Sequence, residues 1–207
     1  QGEETKRKRF NINSTYKSKK IKGLSYGLNG NFLFQTTGSA IIWDGFDRAY
    51  IPLDNEITNT NGDTYNIDPF ITYANGTNKH SLKTRYLKVI NDNSTKGKDN
   101  AQDNESETFY TDYQWQKNIE KYNLRITSGT TNEIVYARSD LFNGNNTRNN
   151  HSLYTQLDKK IGKINMSLGA RYELFTINTE TAYIIDGESL NNFSAAKPVF
   201  RTGFNYQ

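Results

Sequence analysis

The sequence predicts an all-β fold, an antiparallel up-and-down meander of about nine long strands, on three observations. Apolar side chains recur at every second position, the period of a pleated strand and not the 3.6 of a helix. The segments between these runs are rich in Asn, Gly, Lys and Asp and alternate between short and long, so every second connection falls at the same end of the sheet. The composition joins only 34% hydrophobic residues to 14 Tyr and 11 Phe. That is too few apolar residues for a thick two-sided core, since an average globular domain draws roughly half its residues from apolar types, and too many aromatics for a disordered chain.

The strands follow in order. The first is carried by Phe10, Ile12, Ser14 and Tyr16. In the second, Leu24, Tyr26, Leu28, Gly30, Phe32 and Phe34 share one face, with Ser25, Gly27, Asn29, Asn31 and Gln35 opposite and only Leu33 breaking the alternation. The third runs through Tyr65, Ile67, Pro69, Ile71 and Tyr73, and the fourth through Leu82, Thr84 and Tyr86. Phe109, Thr111, Tyr113 and Trp115 mark the fifth, Tyr122, Leu124 and Ile126 the sixth, and Leu153, Thr155 and Leu157 the seventh. The eighth is the longest alternation, Ile164, Met166, Leu168, Ala170, Tyr172 and Leu174 against Asn165, Ser167, Gly169, Arg171 and Glu173. Phe200, Thr202, Phe204 and Tyr206 give the ninth. A slip of one residue in the eighth strand would exchange its two faces, so the register is strongly specified.

Short connections fall at Lys17–Gly23, Asn75–His80, Lys117–Lys121 and Lys159–Lys163; long ones near Gly38–Thr64, Asn91–Glu107, Asp140–Asn150 and Asn178–Lys197. Charge sorts the same way. Lys17, Lys19, Lys20, Lys22, Lys79, Lys117, Lys121, Lys159, Lys160 and Lys163 gather at the short turns, and acidic residues such as Asp44, Asp47, Glu105, Glu107 and Glu180 at the long ones. Several strands reach ten or more residues. Soluble strands usually run about 5–6, whereas a tilted membrane-spanning strand needs about 9–11. The expectation is part of a transmembrane β-barrel, with Leu168, Ala170, Tyr172 and Leu174 toward lipid and Gly169, Arg171 and Glu173 toward the lumen.

Other classes find little support. The chain has no Cys, which removes disulfide scaffolds, thiolate metal sites and Cys nucleophiles together. No segment approaches the roughly 18 apolar residues of a transmembrane helix, and nothing near Gln1 reads as a signal peptide. With Gln and not Met as its first residue, the chain reads as a mature or internal piece of something longer. The net charge of +4 is mild, and Lys6-Arg-Lys-Arg-Phe10 leads directly into a strand without any nucleic-acid motif, so no nucleic-acid partner is expected.

No constellation points to bond chemistry. His80 and His151 lack metal-ligand spacing, and Asp99–Glu107 lacks the spacing and turn glycine of a calcium loop. No catalytic residue, metal or cofactor is assigned. The segment Ile41-Ile-Trp-Asp-Gly-Phe-Asp-Arg-Ala-Tyr50 stands out, because it sets Trp43, Phe46 and Tyr50 beside Asp44, Asp47 and Arg48 in a long loop. Aromatics next to polar groups suit contact with amphipathic or ring-bearing ligands; the competing role is an aromatic girdle at a barrel rim.

Four segments carry a resemblance: Lys20-Ile-Lys-Gly-Leu-Ser-Tyr-Gly-Leu-Asn-Gly-Asn31, Ile67–Tyr73 with Lys79–Tyr86, Asn150–Glu173 containing Gly169-Ala-Arg-Tyr-Glu173, and Lys197–Gln207. In that order, over nearly the whole chain, the sequence resembles TonB-dependent outer-membrane receptors of the Bacteroidetes type. The resemblance implies a plugged barrel of 22 strands, powered from the inner membrane through TonB, that imports a scarce nutrient such as a siderophore, haem, vitamin, peptide or oligosaccharide. Residues 1–207 would be a middle portion of its wall, integral to the bacterial outer membrane, with the chain's own plug, the TonB-contacting segment and the remaining strands lying outside them. The competing class is a soluble or surface-attached secreted β-protein that binds glycan or another surface partner through the same loops.

Overall fold

The computed structural model describes residues 5–40, 42, 44–48, 51–53, 56–95, 98, 99, 102–142, 144–185 and 188–206. Ten strands form one antiparallel sheet: β1 (Thr5–Lys17), β2 (Leu24–Ala40), β3 (Ile57–Asn75), β4 (Asn78–Thr95), the two-residue β5 (Lys98–Asp99), β6 (Asn104–Ile119), β7 (Leu124–Ser139), β8 (Gly144–Ile161), β9 (Ile164–Ile185) and β10 (Glu188–Tyr206). Neighbours in sequence are neighbours in space, in the order β1-β2-β3-β4-β6-β7-β8-β9-β10, with β5 folded back onto β4. The nine long strands are the nine anticipated. The described sheet is open, with β1 and β10 at its edges.

Register places the anticipated faces. Tyr16 lies opposite Tyr26, Tyr26 opposite Ile71, Ile71 opposite Leu82 and Leu82 opposite Tyr113, so apolar positions form continuous rows across the strands. The other parity lines up Asn11 with Asn31 and Asn31 with Asn66. Among the described residues no hydrophobic side chain is buried, and Leu168, Tyr172 and Leu174 are 46%, 48% and 48% exposed. A single-layer sheet has no second layer to hide its apolar face, which explains the missing core.

The strands are longer than the apolar alternation that revealed them. β9 has 22 residues and β3 has 19. Two of the expected long loops are therefore corrected: most of 140–150 and of 178–197 is strand, since β8 begins at Gly144, β9 runs to Ile185 and β10 begins at Glu188. In these extensions apolar residues no longer alternate strictly with polar ones, so periodicity fades while the ladder continues on backbone hydrogen bonds. Cross-strand polar pairs help hold it: the Thr58 and Thr95 hydroxyls meet at 2.9 Å, Thr60 donates to Asn93 at 2.6 Å, and the Asn91 amide donates to Asn104 at 2.8 Å. The genuinely long connections are 41–56 and the segment containing β5, where the buried Asn93 takes an Asp103 carboxylate on its N–H and donates its amide to the Gln102 carbonyl.

Glycines mark where the sheet turns or is overlaid. Phe70 and Tyr154 lie across Gly27 and Gly129, in the space a Cβ would fill. At the end of the first short turn Gly23 has φ +86° and a Cβ there would stand 1.9 Å from the Ala74 carbonyl oxygen. Its own carbonyl accepts the Ala74 N–H at 3.0 Å. Gly23→Val is therefore expected to destabilise the fold by about 1–3 kcal/mol from backbone strain alone, with the collision adding to it. The check is the midpoint of thermal unfolding, which should fall; an unchanged midpoint would contradict this turn.

Candidate functional site

The polar face is built around a break in a central strand. Proline has no N–H to donate and is normally kept off central strands, yet Pro69 sits in β3 between β2 and β4. The β3–β4 register is continuous from Thr58 to Ile67 and from Phe70 to Asn75, and skips Asp68 and Pro69. Side chains bridge the gap. Arg85 donates from Nε and Nη2 to the two carboxylate oxygens of Asp68, both at 2.8 Å, and the Thr84 hydroxyl donates to the Pro69 carbonyl at 3.3 Å. Such a two-pronged guanidinium–carboxylate contact fixes orientation as well as charge.

This pair opens onto a recess of about 600 Å³ whose lining includes Asn29, Phe70, Lys83, Arg85, Tyr110 and Glu133. The polar face continues away from it as a network. Glu133 pairs with Arg148, Arg171 lies 2.6 Å from Glu173 and donates to Thr131 at 3.4 Å. Tyr154 donates to Asp112 and receives the Gln114 amide, each at 3.3 Å. Toward the short turns a second recess of about 650 Å³ is lined by Asn118, Arg125, Asp158, Lys160 and Asn165 among others. Toward the long connections a third, of about 480 Å³, is apolar, with Ile177, Tyr183, Leu190 and Phe193. At the same end, on the other face, Glu180 accepts the Asn145 backbone N–H at 3.0 Å and its amide at 2.7 Å, and these bonds hold its carboxyl below the ordinary value.

The opposite face is apolar between two aromatic rows. Near the short turns Tyr16 and Tyr26 pack at 5.3 Å between ring centroids, and His80 Nδ1 bonds the Tyr113 hydroxyl at 2.8 Å. Toward the other end Phe34 packs on Tyr65 at 5.7 Å, Tyr86 on Phe109 at 5.0 Å and Phe109 on Tyr136 at 6.3 Å. Beyond that row, on the same face, Lys88 pairs with Glu105 and Glu107; the two carboxylates raise its pKa.

Of the residues singled out in the loop, the structure joins Asp44 and Arg48 in an ion pair at 2.7 Å. Phe46 and Asp47 lie on the short 3-10 turn Phe46–Arg48, and Phe46 is 99% exposed. Trp43 and Tyr50 lie outside the described residues. The recess at Asp68 was not anticipated as a site. A proline inside an otherwise alternating run, with an acid before it and an arginine within the next run, was its available signal.

Among the described residues no group of three His, Cys, Asp or Glu is placed to hold a metal ion. The polar face offers fixed charges, amides and phenols, the equipment for hydrogen-bonded contact with a polar surface or solute. No protein-family model and no curated protein matches the chain.

A double-mutant cycle tests the central pair. Arg85 is half exposed, so the coupling between Asp68→Asn and Arg85→Gln should be modest, about 0.5–1 kcal/mol in unfolding free energy. Additive effects would show that the two groups do not act together.

Proposed function

We propose that this chain forms part of the wall of a transporter barrel in a bacterial outer membrane, of the TonB-dependent receptor type, with the apolar face toward lipid and the polar face toward the lumen. The observation that carries the reading is the apolar belt between two aromatic rows, on a sheet with no buried hydrophobic side chain among the described residues. Leu24 to Phe34 on β2 spans ten steps; at about 3.3 Å per residue and a tilt of about 40° this gives roughly 25 Å, the height of the lipid-facing band of such barrels. The aromatic rows correspond to its two interfacial girdles. Short turns rich in lysine fit the periplasmic end, and strands prolonged beyond the belt fit the outside end.

In this reading a nine-stranded portion joins further strands to close a larger barrel, and the plug meets the face that carries Asp68, Arg85, Glu133 and Arg171. Import then depends on energy delivered through TonB to a segment outside residues 1–207. The exposed loop with Asp44, Phe46, Asp47 and Arg48, flanked by Trp43 and Tyr50, is the first surface an arriving ligand meets. The motif resemblance and the belt both favour this class over a soluble glycan-binding β-protein, which would need to cover its apolar face.

Fractionation tests the reading. The protein should be recovered from washed outer membranes only with detergent, and recovery in the aqueous fraction would support the soluble surface protein instead. A paired substitution tests the orientation. Leu168→Arg puts a charge into the belt and should cost about 2–4 kcal/mol if that position lies near the midplane. Gly169→Arg, next to it on the polar face with no atom closer than 3.7 Å to a new Cβ, should be tolerated. Folded yield in membranes reads both, and equal losses would contradict the assignment of faces.

A further inference from the structure

Four asparagines of the chain are followed directly by glycine: Asn29-Gly30, Asn61-Gly62, Asn75-Gly76 and Asn143-Gly144. Such a pair is chemically labile, because glycine has no Cβ to hinder its backbone nitrogen from attacking the side chain before it. The glycine nitrogen gives its proton to solvent base and bonds to the asparagine Cγ, the bond from Cγ to the amide nitrogen breaks, and ammonia leaves. Water then opens the cyclic imide at either carbonyl, giving aspartate or isoaspartate, with no change of oxidation state. Ring closure needs the side chain and the next backbone nitrogen to swing together, and a residue held in the ladder can do so only after local opening.

The structure separates these pairs. Asn29 and Gly30 lie inside β2, opposite Asn13 and Ile12 on one side and Asp68 and Ile67 on the other, and Gly30 is buried. Asn61 and Gly62 lie inside β3, opposite Thr36 and Gln35 of β2 and Asp92 and Asn91 of β4. There the Asn61 side-chain oxygen accepts the Thr36 hydroxyl at 3.0 Å, and Gly62 is buried. Asn75 differs on every count. It is the last residue of β3 and pairs only with Asn78 across the turn. Asn75, Gly76 and Thr77 are all exposed; Gly76 has φ +55° and no atom within 4 Å of the place a Cβ would take. Neither the Asn75 side chain nor the Gly76 N–H has a hydrogen-bond partner among the described residues. Asn123 also sits at a short turn, with φ +47°, but its N–H is bonded to the Glu120 carbonyl and the bulkier Leu124 follows it. Asn143 lies outside the described residues.

We propose that Asn75 is a site of spontaneous modification, converting to aspartate and isoaspartate in the folded protein while Asn29 and Asn61 keep their amides. The inference is independent of the membrane reading. Isoaspartate carries the main chain through its Cβ, so it breaks the Asn75–Asn78 rung that closes the β3–β4 hairpin. Either product sets a carboxylate at the lysine-bearing end of the sheet, one rung from Lys79.

The full-length folded protein is incubated at mildly alkaline pH and digested, and amide loss in each peptide is read by mass spectrometry against a sample taken at the start. Labelling by isoaspartyl methyltransferase identifies the isoaspartate. The rate at Asn75 is expected to exceed those at Asn29 and Asn61 by more than about tenfold, because the latter wait on local opening of the ladder. In denaturant the three Asn-Gly pairs should converge on one rate while Asn123 stays slow, and Asn75→Gln should remove the signal from its own peptide alone. A folded-state rate at Asn75 no faster than at Asn29 and Asn61 overturns the proposal, and so does a difference that persists after unfolding.

Discussion

Backbone hydrogen bonding in a one-layer sheet is the constraint on which the rest of this structure depends. Each long strand pairs along most of its length, so the ladder fixes every side chain to one face or the other and leaves no second layer to correct an error. The chain meets this by giving each face its own chemistry, apolar on one side and polar on the other. The apolar rows and the ion-paired rows are consequences of one parity, and neither face could be exchanged without the other. With no buried hydrophobic side chain among the described residues, stability comes from the ladder itself and from whatever covers the apolar face.

The places where the rule is relaxed are informative because the ladder tolerates so few of them. Pro69 interrupts β3–β4 pairing, and the Asp68–Arg85 pair with the Thr84 hydroxyl spans the interruption. A recess on the polar face lies at that point. The run Ser128, Thr130 and Asn132 on β7, on the same face as Ile126 and Ile134, is the converse exception, hydrogen-bonding groups on the apolar face. A proline in a central strand and an amide in an apolar belt are both costly unless something compensates. The first is compensated by the Asp68–Arg85 pair and the Thr84 hydroxyl, the second in part by the bonds of Ser128 to Thr155 and of Thr130 to the Ser152 carbonyl.

Much of the fold was legible in the sequence, because period-two alternation is a direct imprint of the pleat. All nine long strands and their order followed from it, as did the membership of Leu168, Tyr172 and Leu174 on one face and Arg171 and Glu173 on the other. What was not legible was strand length. Beyond the aromatic row the strict alternation of apolar and polar positions is lost, so stretches such as Asn145–Asn150 and Thr176–Thr179 look like loops while pairing as strands. The Asp68–Arg85 contact was hidden for a different reason: it depends on inter-strand register, which is set by the two-residue turn between Asn75 and Asn78 and is not visible in either strand alone. Asp44 and Arg48 were singled out for their place beside aromatics in a long loop, and that they pair with each other was not anticipated.

Collision accessibility of spin labels along β9 tests the proposed membrane setting of the two-faced sheet most directly. With labels placed one at a time from Asn165 to Leu174 in the native outer membrane, accessibility to lipid-soluble oxygen should alternate with period two. It should be high at Met166, Leu168, Ala170, Tyr172 and Leu174 and low at Asn165, Ser167, Gly169, Arg171 and Glu173. The contradicting result is an apolar series as open to a water-soluble relaxing agent as the turn residue Lys163, with no alternation along the strand.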